Sequence, residues 1–495
     1  MRDLIVKLVH LLLRLFFRRV EITGLEHVPE HGGGILVSWH PNGMIDPALI
    51  FETFPRDVVF GARHGLFKIP VLGAILRATD TVPIYRAQDM KGTSEKARDE
   101  ANQKSLDALS DAIVEGKFSA LFPEGVSHDA PHLMELKTGV ARFYYRARQR
   151  KAPDDPEPVV IPVGLHYDEK RIFRSNVLVA FHAPIELPGE LAITPPEDEE
   201  REARRERYRA FTDEVERVLR ETVHCTETWE VHHLMHRARK LLRAERAAQA
   251  GSHLEAPTME ERTRAFARIW AGYYARLETH PEEVEALKAR IAEYDADMRA
   301  LEIQDHELDQ PPNIVNVWLG ILLGLQAILV YLFFPPIMLV GSIVNLPPAG
   351  LLWLLTKWAS KTEKDEASIK VLAGAVLFPL FWLAAAILAG WGHSVLHEMY
   401  PSIPDTFITA GVVTFLLALA GGAISLRYLR LARETARAIR VRLTRERRRL
   451  TIARLRVDRS ELFEALTAIG AGLDLPGQVM PDGTIGPTIV PPEPV

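Results

Sequence analysis

Ser38-Trp39-His40-Pro41-Asn42-Gly43-Met44-Ile45-Asp46-Pro47 decides how this chain is read. It follows the apolar run that begins at Gly34, and Gly34–Trp39 has the composition of a buried strand. Pro41 biases His40 away from helix, because its ring crowds the preceding backbone. Asn42-Gly43 is a turn signal. Pro47 suits the first position of a following helix, with Asp46 as its N-cap. His40 and Asp46 therefore bracket one tight strand–loop–helix connection, short enough for the carboxylate to reach the imidazole. A hydroxyl is a poor nucleophile near neutral pH, and a histidine of ordinary pKa, about 6.5, can take its proton during attack. A carboxylate on the other ring nitrogen fixes the tautomer and stabilises the imidazolium. A capping aspartate beside an unrelated buried histidine would leave the same letters, so the surroundings must decide.

Working outward, short apolar runs recur at Val58–Ala62, Thr81–Tyr85, Phe118–Phe122, Val159–Leu165 and Asn176–His182. Most are apolar through their length, as strands covered on both faces are. Ser94–Glu115 between them reads as a helix. The alternation predicts an α/β layer domain with a mixed or mostly parallel sheet.

Two further groups of residues carry chemistry. Phe122-Pro123-Glu124-Gly125 ends another strand. Gly125 permits positive φ or close backbone approach. Glu124 is placed to hold a substrate hydroxyl, and neighbouring amides to face an oxyanion; a plain turn with a solvated glutamate is the bland alternative. Ser127-His128-Asp129 follows directly, but adjacent side chains diverge in regular structure, so an independent triad is not expected. The basic residues Arg63, His64, Lys68, Arg77 and Arg86, with Lys137 downstream, form the other group. Arg86 ends the Thr81–Tyr85 strand, and with parallel strands it shares an edge with the first two motifs. Ligands bind beyond the carboxyl ends of strands in open α/β sheets, where an arginine can grip a phosphate bidentately.

The chain has 495 residues, 47% hydrophobic and 25% charged, which excludes wholesale disorder. The length suggests about three domain-sized units. A net charge of −5 argues against a mainly nucleic-acid-binding protein. The single cysteine, Cys225, excludes an intramolecular disulfide and a cysteine-only zinc site, and points to a reducing compartment.

Outside the α/β region the chain divides by composition. The N-terminal stretch to Phe17 is too short and too charged to span a bilayer, and it lacks a cleavage site. It reads as an interfacial amphipathic helix with Arg14, Arg18 and Arg19 facing headgroups. With it, residues 1–195 form the first domain. Residues 196–312 read as a charged, solvated helical region. The i, i+4 pair in His232, His233 and His236 has metal-ligand spacing but lacks the glutamate of a zinc-protease motif. Residues 313–427 hold four apolar stretches of about spanning length, 313–334, 337–358, 371–391 and 407–426. The second contains Pro347-Pro348 and is either a span or re-entrant. Lys357, Lys361, Lys364 and Lys370 fall in one loop, while 393–404 carries no lysine or arginine. The positive-inside rule then puts 357–370, the arginine-rich stretch after 427 and, if the first two spans form a hairpin, residues 1–312 on the cytoplasmic side. Residues 428–475 read as a basic cytoplasmic helical region, and the proline-rich 476–495 as a disordered tail.

Together these blocks resemble the PlsC-type glycerolipid acyltransferases. Residues 34–47 look like that family's histidine–aspartate motif, and Leu66-Phe67-Lys68-Ile69-Pro70 with Gly73 and Arg77 its next block. Pro83-Ile84-Tyr85-Arg86 resembles its arginine motif, Phe122-Pro123-Glu124-Gly125 its glutamate–glycine motif, Lys137-Thr138-Gly139 its lysine–glycine pair, and Val160-Ile161-Pro162-Val163 its final proline strand. The six blocks stand in family order across about 20–185, under half the chain. One departure is plain: five residues separate His40 from Asp46, where most members have four. That longer gap, with Ser127-His128-Asp129 after the glycine, is similar to a subgroup that includes fungal-type glycerol 3-phosphate/dihydroxyacetone phosphate acyltransferases.

The resemblance implies transfer of a fatty acyl group from acyl-CoA or acyl-ACP to a phosphorylated glycerol at a membrane surface. It implies His40 as general base, Asp46 as its partner, Glu124 and Gly125 shaping the acceptor site, and Arg86 with Lys137 binding phosphate. The donor thioester is already activated, so the scheme requires no metal, cofactor or enzyme nucleophile, and no nucleic-acid partner is implied. Glycerol 3-phosphate is the favoured acceptor and lysophosphatidic acid the close alternative. A catalytically silent lipid-binding scaffold is the reading from another class.

Overall fold

The computed structural model describes residues 2–85, 95–196, 199–251, 255–309, 317–360 and 362–487. Two compact units emerge. The first comprises residues 1–232, 258–263 and 362–368; the second comprises 233–257, 264–361 and 369–495.

In the first unit, β1 (Arg19–Thr23), β2 (Gly34–Val37), β3 (Val58–Arg63), β4 (Val82–Ile84), β5 (Phe118–Leu121), β6 (Val159–Tyr167) and β7 (Asn176–Phe181) form a seven-stranded sheet among the described residues. The order is β1-β7-β6-β2-β5-β3-β4. Every pairing is parallel except β6 with β7. The mostly parallel α/β sheet expected from the apolar runs is thus the observed one. The sequence reading missed β1, a half-exposed edge strand without a continuous apolar run. It also ended β6 two residues early.

β2 and its neighbours are buried on both faces, which is why their sequences do not alternate. One face packs on α4 (Glu95–Val114), α5 (Gly139–Arg150) and α6 (Arg201–Val223). There Ile35, Val37, Val59 and Val160 meet Leu109, Ile113, Val140, Phe143, Phe211, Val215 and Leu219. On the other face lie buried residues of α1 (Arg2–Phe16) and α2 (Ile45–Thr53), and Phe54 packs edge-on to Phe118 at 4.8 Å. α3 (Pro70–Ala78) packs beside the short helical turn His64–Lys68. α6 corrects the solvated-linker reading of residues 196–312. Its charged majority is solvated, but Phe211, Val215 and Leu219 recur at i, i+4, i+8 and complete the core of the α/β layer. Arg14 lies within α1, whereas Arg18 and Arg19 fall after its end, and Arg19 opens β1.

The second unit is helical. α7 (Trp229–Gln249) and α8 (Met259–Thr279) enter it from the first unit. α9 (Pro281–Leu301), α10 (Val317–Ile328), α11 (Phe334–Ala359), α12 (Glu363–Met399), α13 (Phe407–Arg447) and α14 (Arg449–Ile469) follow. Leu241, Ile291, Met298, Leu308, Leu455 and Leu462 form one of its cores, so the helical middle of the chain folds with the basic C-terminal region. Arg459, 2% exposed, sits in this core. It bonds Glu245 at 2.7 Å, Asp309 at 2.6 and 2.8 Å and the Asp305 carbonyl at 2.9 Å. Removing one partner of a buried ion pair strands the others. Arg459→Met is therefore expected to lower stability by about 3 kcal/mol, read as a drop in the thermal midpoint of the detergent-solubilised chain. An unchanged midpoint would refute this.

Two helices, α12 and α13, are long and apolar enough to cross a membrane among the described residues, and Gly320–Phe333 is a shorter apolar helix. α11 is one continuous helix through Pro347 and Pro348. It meets α13 at Gly341 and Gly421, where a Cβ on Gly341 would fall 2.8 Å from the Gly421 Cα. Asn345 donates to the carbonyls of Gly341 and Ala418 and accepts from Trp382 at 3.0 Å, tying α11, α12 and α13 together. Small residues and a shared polar side chain are the usual means of packing apolar helices. α13 runs unbroken from its apolar half into the arginine-rich stretch, as far as Arg447.

The tail expectation is corrected in part. Gln478–Val479 pairs antiparallel with Ile485–Gly486. Gly483 at φ 88° and Asp482, which accepts from the Thr484 amide, turn the chain between them.

Candidate active site

The site follows from one pairing. β2 and β5 lie side by side and parallel, with Val37 opposite Leu121. Their continuations, Ser38-Trp39-His40 and Phe122-Pro123-Glu124, therefore leave the sheet together at its carboxyl edge. The His40 ring stacks on Phe122 with centroids 4.2 Å apart. The His40 amide donates to Glu124 Oε2 at 3.0 Å, and the His128 amide donates to the His40 carbonyl at 3.0 Å. On the other side of β2, Ser38 and Trp39 donate to the β6 carbonyls of Val163 and Leu165.

His40 Nδ1 lies 2.9 Å from Asp46 Oδ2, so the pair expected from the sequence is formed. Asp46 is fully buried. The same Oδ2 accepts the Asn42 amide at 2.7 Å, and Oδ1 accepts the Tyr167 hydroxyl. α2 starts at Ile45 with Met44 at its N-cap, two residues earlier than expected. Asp46 thus sits inside the first turn, where the orphan amides and the helix dipole favour a carboxylate. A carboxylate offers only acceptors, so Nδ1 carries the proton and Nε2 presents its lone pair. His40 is partly exposed, and Nε2 has no hydrogen bond among the described residues.

Tyr167 was not singled out in the sequence. It is the last residue of β6, and the only available signal was that the strand could run on past Leu165. Burial, reinforced by the neighbouring Asp46 carboxylate, pushes its phenol pKa well above the usual value. It remains a donor at any physiological pH and holds the aspartate from the side away from His40.

Glu124 faces inward. Its side chain is fully buried; Oε2 takes the His40 amide, and Oε1 takes His128 Nε2 at 2.6 Å and the Met134 amide at 2.9 Å. Contact with an acceptor hydroxyl would have to displace one of these bonds. The geometry makes Glu124 the brace that binds the His40 loop to the 122–134 loop. Gly125 has φ 69°, its amide is engaged by the Phe122 carbonyl, and an added Cβ would come within 3.0 Å of Lys137 Nζ. The exposed Lys137 ammonium thus lies against the turn. Arg86 lies outside the described residues. β4, which precedes it, is parallel to β3, so its carboxyl end opens at the same edge, with β3 and β5 between it and β2.

Ser127, His128 and Asp129 diverge. His128 bonds Glu124, whereas Asp129 pairs with Lys170 at 2.6 Å. His232 packs edge-on to Trp229 and His236 lies against Phe266. Among the described residues no three histidine, cysteine or carboxylate side chains converge as metal ligands.

Residues 19–166 match the acyltransferase family model; this segment is an acyltransferase domain of the PlsC type. Across 87% of its length the chain is 23% identical to glycerol-3-phosphate O-acyltransferase 1 of Saccharomyces cerevisiae, of which it covers 56%. It is 23% identical to glycerol-3-phosphate O-acyltransferase 2 of the same yeast, over 60% of this chain and 36% of that one. The chain thus spans about half or less of the length of these relatives. A solved structure of PlsC from Thermotoga maritima, a 1-acyl-sn-glycerophosphate acyltransferase, aligns at 17% identity and TM-score 0.29, over 44% of this chain and 79% of that one.

Proposed function

We propose that this chain is a membrane-bound O-acyltransferase that moves a fatty acyl group from an acyl thioester to glycerol 3-phosphate. The observation that carries the reading is the His40–Asp46 pair at the sheet's carboxyl edge, with Nε2 unengaged among the described residues and Nδ1 fixed by a carboxylate that is itself held on both oxygens. In this reading an acceptor hydroxyl oxygen attacks the thioester carbonyl carbon while His40 Nε2 takes its proton. The tetrahedral centre then collapses, the carbon–sulfur bond breaks, and the proton passes from His40 to the departing thiolate. Asp46 and Tyr167 keep the ring in the productive tautomer and orientation. Lys137, beside the Gly125 turn, and Arg86 are the proposed phosphate ligands. The yeast relatives support glycerol 3-phosphate as acceptor.

Several features favour a site at a cytoplasmic membrane surface. α1 exposes Leu4, Leu8, Leu11 and Leu15 along one stripe, as an interfacial helix does. α12 and α13 are of spanning length. Lys364, in the first turn of α12 and within the lysine-rich 357–370 stretch that the positive-inside rule assigns to the cytoplasm, bonds residues of the site loops.

The test is acyl transfer by membranes containing the protein, with acyl-CoA and acyl-ACP each offered to glycerol 3-phosphate, dihydroxyacetone phosphate and lysophosphatidic acid. Product with glycerol 3-phosphate is expected. Product with lysophosphatidic acid alone would reassign the enzyme to the second acylation, and no product with any pair would favour a silent lipid-binding scaffold.

A further inference from the structure

The turn that carries His40 and Asp46 is held from a second direction, by residues outside the matched acyltransferase segment. Thr362–Ser368, which includes the first residues of α12, belongs to the first compact unit. Ser368 Oγ accepts the Met44 amide at 3.1 Å across 324 positions of sequence. Gly43, at φ 45°, lies against the same segment; a Cβ there would stand 3.1 Å from Ser368 Oγ and 3.2 Å from the Lys364 carbonyl oxygen. Asp129 joins the other side. Its Oδ2 accepts the Lys364 amide at 3.2 Å, and its Oδ1 pairs with Lys170, whose ammonium also donates to the Pro41 carbonyl at 3.1 Å. Lys364 Nζ donates to the Ser127 carbonyl, and Glu363 pairs with Arg171 at 2.7 Å. Ala367 is fully buried.

We propose that Thr362–Ser368 is a positioning clamp for the catalytic turn, and that Ser368, Lys364 and Asp129 are positioning residues for the acyl transfer inferred above. Asn42-Gly43 is the most deformable part of the connection between His40 and Asp46, since its glycine is in the left-handed region. Met44 caps α2, so its amide has no partner within the helix and takes the Ser368 hydroxyl instead. The Asp129 carboxylate meets an amide of the first turn of α12, where the helix dipole favours negative charge. The clamp therefore links the Pro41–Met44 segment to the start of a helix of membrane-spanning length. A domain cut off after the matched segment would retain His40 and Asp46 and lose this restraint.

The proposal rests on the acyltransferase reading, and its test separates the two. The full-length chain is purified in detergent as wild type, Ser368→Ala, Ser368→Thr, Lys364→Ala and Asp129→Asn. Steady-state kinetics are measured beside hydrogen–deuterium exchange of the amides at 42–45. Ser368→Ala, Lys364→Ala and Asp129→Asn are expected to lower kcat on the order of tenfold, because small misplacements of a catalytic group are costly. KM values should stay within about twofold, and exchange at 42–45 should rise. Ser368→Thr, which keeps the hydroxyl, should restore both. Wild-type kcat and wild-type exchange in the three disruptive variants would overturn the clamp. Should the wild type transfer no acyl group while exchange at 42–45 still rises in Ser368→Ala, the clamp stands as a restraint and the acyltransferase reading fails.

Discussion

Replacing His40 by alanine is expected to lower the rate of acyl transfer by a factor on the order of 10²–10⁴, with the protein still folded and membrane-associated. The ring is partly exposed at the sheet edge and stacks on Phe122 alone among the described aromatic residues, so little core packing depends on it. Asp46→Asn should approach the same loss by a different route. An asparagine there meets the Asn42 amide and Nδ1 with its oxygen and the Tyr167 hydroxyl with its nitrogen, but lacks the negative charge that stabilises the imidazolium formed during attack. Initial rates with glycerol 3-phosphate and acyl-CoA, normalised to the amount of folded protein, decide this. Equal turnover by wild type and His40→Ala would mean that the proton is removed elsewhere and the assigned mechanism is wrong.

The second large effect is expected at Glu124, and there stability and activity fall together. Its fully buried carboxylate accepts from the His40 amide, His128 Nε2 and the Met134 amide. Glu124→Ala leaves three donors without that partner, His128 Nε2 buried and the two amides part-buried, and an unsatisfied buried donor costs about 1–3 kcal/mol. A loss on the order of 3 kcal/mol is therefore expected in denaturant or thermal unfolding of the full-length chain. Glu124→Gln is the sharper variant. It keeps the volume, but one end of the amide becomes a donor facing donors, so kcat should drop strongly while the fold is retained. If Glu124→Gln raised the KM for the acceptor and left stability untouched, direct substrate binding by Glu124 would be the better account.

The sequence and the structure divided the work in a physically intelligible way. Pro41, Asn42-Gly43 and Pro47 constrain their own backbones, so the strand–turn–helix unit around His40 and Asp46 was legible locally, and the 2.9 Å pair needed no distant residue to be anticipated. The continuous apolar runs announced β2, β5 and β6, because strands covered on both faces cannot hide their composition. β1 escaped notice because an edge strand has little to bury. The role of α6 was obscured because three apolar side chains among many charged ones suffice to dock a helix. The bracing contacts of Glu124 are not legible in the sequence, because only the parallel pairing of β2 with β5 brings the His40 amide to it.

By itself the sequence determined the local devices: the histidine–aspartate turn, the turn glycine Gly125, the apolar stretches of spanning length, and the order of six motif blocks. Those depend on backbone preference and hydrophobic composition, which each segment carries alone. The tertiary structure decided which partners complete them: Tyr167 on Asp46, Glu124 under His40, and Ser368 and Lys364 against the catalytic turn. These are contacts between segments up to 324 positions apart. No local preference encodes such a meeting; it exists only once strand order and chain path bring the segments to the same sheet edge.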